Sequence, residues 1–168
     1  MRYMPVVLGA AAALMFATDV TAQTNPDLSG TWTRVEDAGA AAAATGGRGG
    51  RGGRGGGGLG ASSTLAQTAT TLTITRTQGQ NQVVSTYNLD GSPSSNTVQG
   101  RGGESTQTST AVWTDGKLVI KTMLNFGGNA FEQTMTLSMA EGGLTVASMN
   151  PGRGGGTPTT TETKYTKG

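Results

Sequence analysis

Long stretches of the chain alternate apolar and polar residues one by one. Phe131, Gln133, Met135, Leu137 and Met139 alternate with Glu132, Thr134, Thr136, Ser138 and Ala140. Leu118, Ile120, Thr122, Leu124 and Phe126 alternate with Val119, Lys121, Met123 and Asn125. Leu72 and Ile74 sit between Thr71, Thr73 and Thr75, and Val83, Ser85, Tyr87 and Leu89 alternate with Gln82, Val84, Thr86 and Asn88. Successive side chains of a strand point to opposite faces, so a period of two predicts strands with one packed and one wet face, as in antiparallel sheets. Asp90-Gly91, Asp115-Gly116, Gly127-Gly128-Asn129 and Glu141-Gly142-Gly143 punctuate the runs with hairpin chemistry. The pattern predicts strands near 30–35, 70–77, 82–89, 95–99, 105–114, 117–126, 131–140, 143–149 and 159–166. That is eight or nine strands, with no helix beyond the N-terminal segment. A meander of this size exposes two edges unless it closes, so the expected fold is an all-β antiparallel meander forming a small barrel, with a β-sandwich as the alternative.

Composition supports this picture and divides the chain. The 168 residues include 29 Gly and 29 Thr. Thr is β-branched and suits a half-exposed pleated surface. Gly is concentrated elsewhere: Ala38 to Gly60 holds twelve Gly, six Ala, three Arg, Thr45 and Leu59. Such a segment has little apolar area to offset the entropy of ordering, so a disordered insert is expected at 38–60. The formal charge of +2 is also unevenly placed. Without the first 22 residues and the insert, eight basic and nine acidic residues remain, a net of −1. A near-neutral β domain has little long-range attraction for phosphates, which disfavours a nucleic-acid partner. Leu, Ile, Val and Phe number only 20 among residues 23–168, so the core must be thin.

The N-terminus has the layout of a secretory signal peptide. Arg2 precedes a twelve-residue apolar run, Val6 to Ala17, too short to span a bilayer of roughly 30 Å. Val20-Thr21-Ala22 places small residues before Gln23, predicting cleavage there and a periplasmic or secreted product, residues 23–168, forming one domain. No later apolar stretch approaches a membrane-spanning length. Six aromatic residues in the mature chain are too few for the girdles of an outer-membrane barrel.

The candidate chemistry is sparse. The chain has no Cys and no His, which removes thiol nucleophiles, disulfides, Ser-His and Cys-His pairs and the usual zinc sites. The carboxylates are scattered, no calcium loop is present, and the Gly-rich insert lacks the Gly-Lys-Ser/Thr of a phosphate loop. The expectation is a non-enzymatic protein with no cofactor and no metal. Alternation does, however, turn polar residues inward: Arg34 with Trp32, Arg76 with Leu72 and Ile74, Gln107 below Trp113, and Gln133 beside Met135. Either the arginines reach water at a rim, or a partly polar cavity orients a small, partly apolar ligand. Trp32, Tyr87, Trp113, Leu124, Arg34 and Arg76 are the candidate lining residues. Arg48, Arg51 and Arg54 of the insert are candidates for contacting an anionic envelope polymer or lipid surface. The oligomeric state is left open.

Asn25-Pro26-Asp27-Leu28-Ser29-Gly30-Thr31-Trp32, Tyr87-Asn88-Leu89-Asp90-Gly91, Trp113-Thr114-Asp115-Gly116-Lys117-Leu118-Val119-Ile120 and the closing Thr163-Lys164-Tyr165-Thr166-Lys167 resemble a group of uncharacterised secreted bacterial proteins. That resemblance implies no particular activity. Gly30-Thr31-Trp32 also resembles the Gly-x-Trp of lipocalin-like barrels. This second resemblance implies a Trp that plugs the closed end of the barrel under a basic residue of the last strand, here Lys164 or Lys167. With nine strands, the connection carrying the insert follows strand one, while Arg101-Gly102-Gly103 and Arg153-Gly154-Gly155 follow strands four and eight. An up-and-down barrel of that count would put the insert at one end and the other two triplets at the opposite end.

Overall fold

A computed structural model describes residues 25–35, 58–78, 81–100, 103–126, 129–150 and 157–168. The signal segment, most of the insert with Arg48, Arg51 and Arg54, and also Arg101 and Arg153 lie outside the described residues. Ten strands follow one another: β1 Gly30–Arg34, β2 Ser62–Gln67, β3 Thr71–Gln78, β4 Asn81–Asn88, β5 Ser94–Gly100, β6 Gly103–Thr114, β7 Lys117–Phe126, β8 Asn129–Ala140, β9 Gly143–Asn150 and β10 Thr159–Lys167. They form one antiparallel sheet in the order β4-β3-β2-β1-β10-β9-β8-β7-β6-β5, so each strand lies beside its sequence neighbour and β1 pairs with β10. The meander is nearly closed into a barrel, and no helix occurs among the described residues.

The strand missing from the sequence expectation is β2. Its six residues, Ser-Ser-Thr-Leu-Ala-Gln, contain a single large apolar side chain, Leu65, so the alternation is nearly silent there. Tertiary pairing to β1 on one side and β3 on the other supplies what propensity does not. The extra strand corrects the expected placement of the Arg-Gly-Gly triplets. The connections that carry them now follow β1, β5 and β9. Successive strands run in opposite directions, so the strand ends bracketing all five triplets belong to one end of the barrel, termed the mouth. The opposite end, the base, holds the start of β1, the end of β10 and the turns after β2, β4, β6 and β8.

Two of those turns were legible in the sequence. Asp115 (φ 50°) with Gly116 (φ 71°), and Glu141 (φ 49°) with Gly142 (φ 77°), have both central residues left-handed, the two-residue geometry that matches strand twist. The Asp90-Gly91 site differs from the expected hairpin. Between β4 and β5 the chain takes a longer path, with Asp90 accepting from the Ser92 amide (2.8 Å) and hydroxyl (2.6 Å). Gly91 N–H then bonds to the Ala111 carbonyl of β6 at 3.0 Å. Pro93, just before β5, has no N–H to offer a ladder.

Side chains therefore close the seam between β4 and β5. The Asn96 carboxamide imitates a strand residue: its Oδ1 accepts the Thr86 N–H at 2.7 Å and its Nδ2 donates to the Thr86 carbonyl at 3.0 Å. Ser94 Oγ accepts the Asn88 N–H at 2.8 Å, and Asn88 Nδ2 donates to the Pro93 carbonyl at 3.2 Å. Ser94 and Asn96 are both buried.

The base is packed solid. Leu28, Trp32, Leu65, Leu72, Tyr87, Ala111, Leu118, Leu137, Leu144 and Tyr165 belong to one buried cluster, with Trp113 and Met139 half-buried against it. The segment before β1 is tied across this end: Gln67 Oε1 accepts the Leu28 N–H (3.0 Å), the Gln67 N–H bonds to Ser29 Oγ (3.0 Å), and Trp32 Nε1 donates to the Leu28 carbonyl (2.9 Å). Lys167, not Lys164, lies over the Trp32 ring, 5.8 Å from its centre. A Cβ on Gly30 would meet Lys167 Cε at 2.5 Å, and the Gly30 φ of +142° disfavours a side chain as well.

Leu59 overturns part of the expectation for the insert. It is 1% exposed and belongs to the core cluster. Its flanks are held too, since Tyr165 Oη donates to the Gly60 carbonyl (3.1 Å), Arg76 donates to the Gly58 carbonyl (3.3 Å), and the Arg34 N–H bonds to the Ala61 carbonyl (2.9 Å). One large apolar side chain suffices to anchor the end of a glycine-rich stretch, because the pieces it joins are already ordered.

Two expected outcomes test these assignments. Asn96→Ala leaves the Thr86 backbone groups without their partners, and chemical denaturation should show a loss of about 2 kcal/mol. Leu59→Ala should cost about 2–4 kcal/mol, whereas removing 41–54 and keeping Gly58–Gly60 should change stability by about 1 kcal/mol or less.

Candidate functional site: the polar layer above the base

The inward face changes character along the barrel axis. Near the base it is apolar. Toward the mouth the same strands present Ser63 and Arg76, Ser85, Asn96, Gln107 and Ser109, Thr122, Gln133, and Ser148 and Asn150. Ser63, Ser85, Asn96, Ser109 and Ser148 are buried. Buried hydroxyls and amides are costly unless hydrogen-bonded, and most of these have partners. Ser109 shares a 2.8 Å hydrogen bond with Thr122, Gln133 Nε2 donates to Asn150 Oδ1, and Asn96 holds the seam. Ser63 differs: it is 4% exposed and its hydroxyl has no hydrogen-bond partner among the described groups.

Register places Ser63 directly between Trp32 of β1 and Arg76 of β3, all on the inward face. Arg76 is in turn opposite Val83 of β4, and its guanidinium donates to the Gly58 carbonyl. Around it, burial pushes the Tyr87 phenol above its ordinary pKa of 10.0, while a hydrogen bond with Ser85 and the nearby charge of Arg76 act in the other direction. Burial likewise raises Tyr165, opposed by the Leu59 backbone and by Arg34. The charges on this face are all of one sign. Arg34 and Arg76 share it with Lys167 at the base, and none of its positions in the described strands is Asp or Glu. The one ion pair among the described residues, Lys121 with Glu132 at 3.3 Å, is on the outside of β7 and β8.

The structure separates the candidate residues from sequence into two groups. Trp32 (0% exposed) and Tyr87 (8%) are in the packed base, as is half-buried Trp113. They pack into the closed end. Leu124, opposite Phe131, and the two arginines belong to the upper part. Arg34 is exposed at the end of β1, whereas Arg76 is partly buried. Ser63, Ser85, Asn96, Ser109 and Ser148 were not among the candidates: β2 and β5 give almost no apolar alternation to place Ser63 and Asn96, and Ser85, Ser109 and Ser148 share a face with apolar neighbours that alternation alone reads as core. The clue for Ser63 was the spacing Ser63-Thr64-Leu65, which puts the serine on the same face as a leucine.

A shallow surface groove of about 240 Å³ runs between Val35, Glu141, Leu144 and Lys164. It is smaller than the roughly 300 Å³ at which ligand pockets begin, and it does not include the polar layer. Among the described residues there is no cluster of acidic groups able to hold a metal, and no helix long and apolar enough to cross a membrane.

Fold and interior together define the class: a ten-stranded up-and-down antiparallel barrel with an apolar base and a polar, cationic layer toward its mouth. No family model matches the chain, and a search of curated proteins found no relative.

The two buried phenols generate a pH prediction. With folded pKa values raised, the unfolded tyrosines ionise first, so the unfolded state binds fewer protons above pH 10 and stability falls as pH rises through that range. Below the ordinary tyrosine pKa the stability is intact. Denaturation midpoints across this range should drop less steeply in Tyr87→Phe than in the wild type.

Proposed function

We propose that the protein is an exported, non-enzymatic barrel that binds a small, partly apolar ligand from its mouth. The observation that carries this reading is the axial change of the inward face, from packed leucines and Trp32 to hydroxyls, amides and Arg76. A solid base with a few convergent polar groups above it is the general layout of small-molecule sites: apolar surface gives affinity and polar groups fix orientation. Leu124 and Phe131 supply apolar surface within the polar layer. The signal-like first 22 residues support export, and the lack of Cys and His supports a role without imidazole or thiol chemistry.

A second reading is favoured by one observation. The described strand ends that bracket all five Arg-Gly-Gly triplets lie at the mouth. Arg48, Arg51 and Arg54 would then hold the mouth against an anionic envelope polymer or lipid surface.

Native mass spectrometry of the protein purified from its own host tests the first reading. The expected result is a bound mass that is lost on denaturation and reduced in a Leu124→Arg variant; a bare chain that no small-molecule panel stabilises would overturn it. For the second reading, removing 41–54 should weaken association with anionic vesicles at low salt. Undiminished association would discard it.

A further inference from the structure

We propose that Arg76 and Ser63 form a site for the anionic head group, carboxylate, sulfonate or phosphate, of the ligand that binds in the polar layer. The inference rests on the reading of the barrel as a small-molecule binder and adds the charge of its ligand. Three independent observations converge on it. First, Ser63 Oγ is buried without a hydrogen-bond partner among the described residues, and leaving a hydroxyl in that state costs about 1–3 kcal/mol. A position on an alternating strand could carry Ala or Val at no such cost. Second, Ser63 and Arg76 are direct cross-strand neighbours on the inward face, and opposite side chains on adjacent strands are about 5 Å apart at Cβ. Third, the inward face has no carboxylate in the described strands to neutralise Arg76, whose hydrogen bond there goes to a neutral carbonyl, that of Gly58. A guanidinium has five N–H donors in a planar fork suited to an oxyanion, so one bond to Gly58 leaves the fork competent. The Ser63 hydroxyl would donate to the same anion. The Tyr87 phenol, hydrogen-bonded to Ser85, is near enough to feel the Arg76 charge, and Arg34 adds positive potential from the end of β1.

The arrangement fits an amphiphile better than a free inorganic anion. Apolar Leu59, Ile74 and Leu65 surround this part of the interior, and the buried cluster extends down to Trp32. An anion with an apolar body would bury both parts, whereas a free ion would surrender its hydration with less compensation.

The experiment uses the full chain and two fluorescent probes with the same ring system: anilinonaphthalene sulfonate, which is anionic, and N-phenylnaphthylamine, which is not. The wild type should bind the sulfonate more tightly. Arg76→Met should weaken the sulfonate about tenfold and the neutral probe by no more than about twofold. Arg76→Lys keeps the charge without the fork and should fall between. Ser63→Ala should weaken the sulfonate severalfold while holding or raising the stability of the unliganded protein. A purely structural serine would show the stability effect alone. The Arg-Gly-Gly triplets are unchanged in all these variants, so sulfonate held by them would not respond. If Arg76→Met does not fold, Arg76→Lys and Ser63→Ala carry the comparison. Equal loss of both probes, or sulfonate affinity unchanged in the folded variants, overturns the head-group site and leaves the ligand-binding barrel standing. Failure of the wild type to bind either probe removes both proposals.

Discussion

Asn96 joins β4 to β5 with its own carboxamide, taking the Thr86 N–H and giving back to the Thr86 carbonyl. Everything else in the barrel depends on that closure. Nine neighbouring strand pairs are joined by backbone ladders, including β1 to β10. Only the last junction is left to side chains, and without it the meander would be an open sheet with two raw edges. Sequence around the seam explains why the ladder stops there. Pro93 withholds an N–H, and the Asp90–Ser92 turn directs Gly91 to β6 instead of folding β4 onto β5. Ser94 and Asn96 point inward, where a short polar side chain can reach a neighbouring backbone.

The second constraint is the small apolar supply. Twenty Leu, Ile, Val and Phe residues follow position 22, and the base absorbs most of those that are buried. Trp32 does the largest share, with its indole N–H satisfied by the Leu28 carbonyl and Lys167 over its ring. Having closed one end, the chain lines the upper interior with hydroxyls and amides, most of them hydrogen-bonded to one another or to backbone, with Ser63 the exception among the described residues. Leu59 extends the apolar cluster from the other side and fixes the Gly58–Gly60 end of the glycine-rich segment. The axial gradient from an apolar base to a polar upper layer thus follows from economy of apolar residues.

How much of this was legible in advance differs by element. Strands β3, β4 and β6 to β9 carry apolar residues every second position, and their existence and the closing of the meander followed from that period. The two turns at Asp115-Gly116 and Glu141-Gly142 were equally plain, since left-handed pairs favour these residues. β2 was not legible: one leucine among serines and threonines makes no period. That single omission shifted the parity of every later strand and reversed the expected end for two of the Arg-Gly-Gly connections. The expected hairpin at Asp90-Gly91 failed for a different reason, because a turn signal specifies local bending and not which strand the released edge will meet.

For the site, the sequence alone determined that Arg34 and Arg76 share a face with Trp32, Leu72 and Ile74, because alternation is a property of a single strand. It also determined that the protein has no thiol or imidazole to work with. Tertiary structure decided the rest. Only the pairing of β2 with β3 sets Ser63 against Arg76, only the meander's parity puts the strand ends that bracket the triplets at one end, and only packing shows that Trp32 and Tyr87 are buried in the base. The physical reason is the same in each case: a period-two pattern fixes which side of a strand a residue occupies, while height, neighbour and burial depend on register between strands distant in the chain.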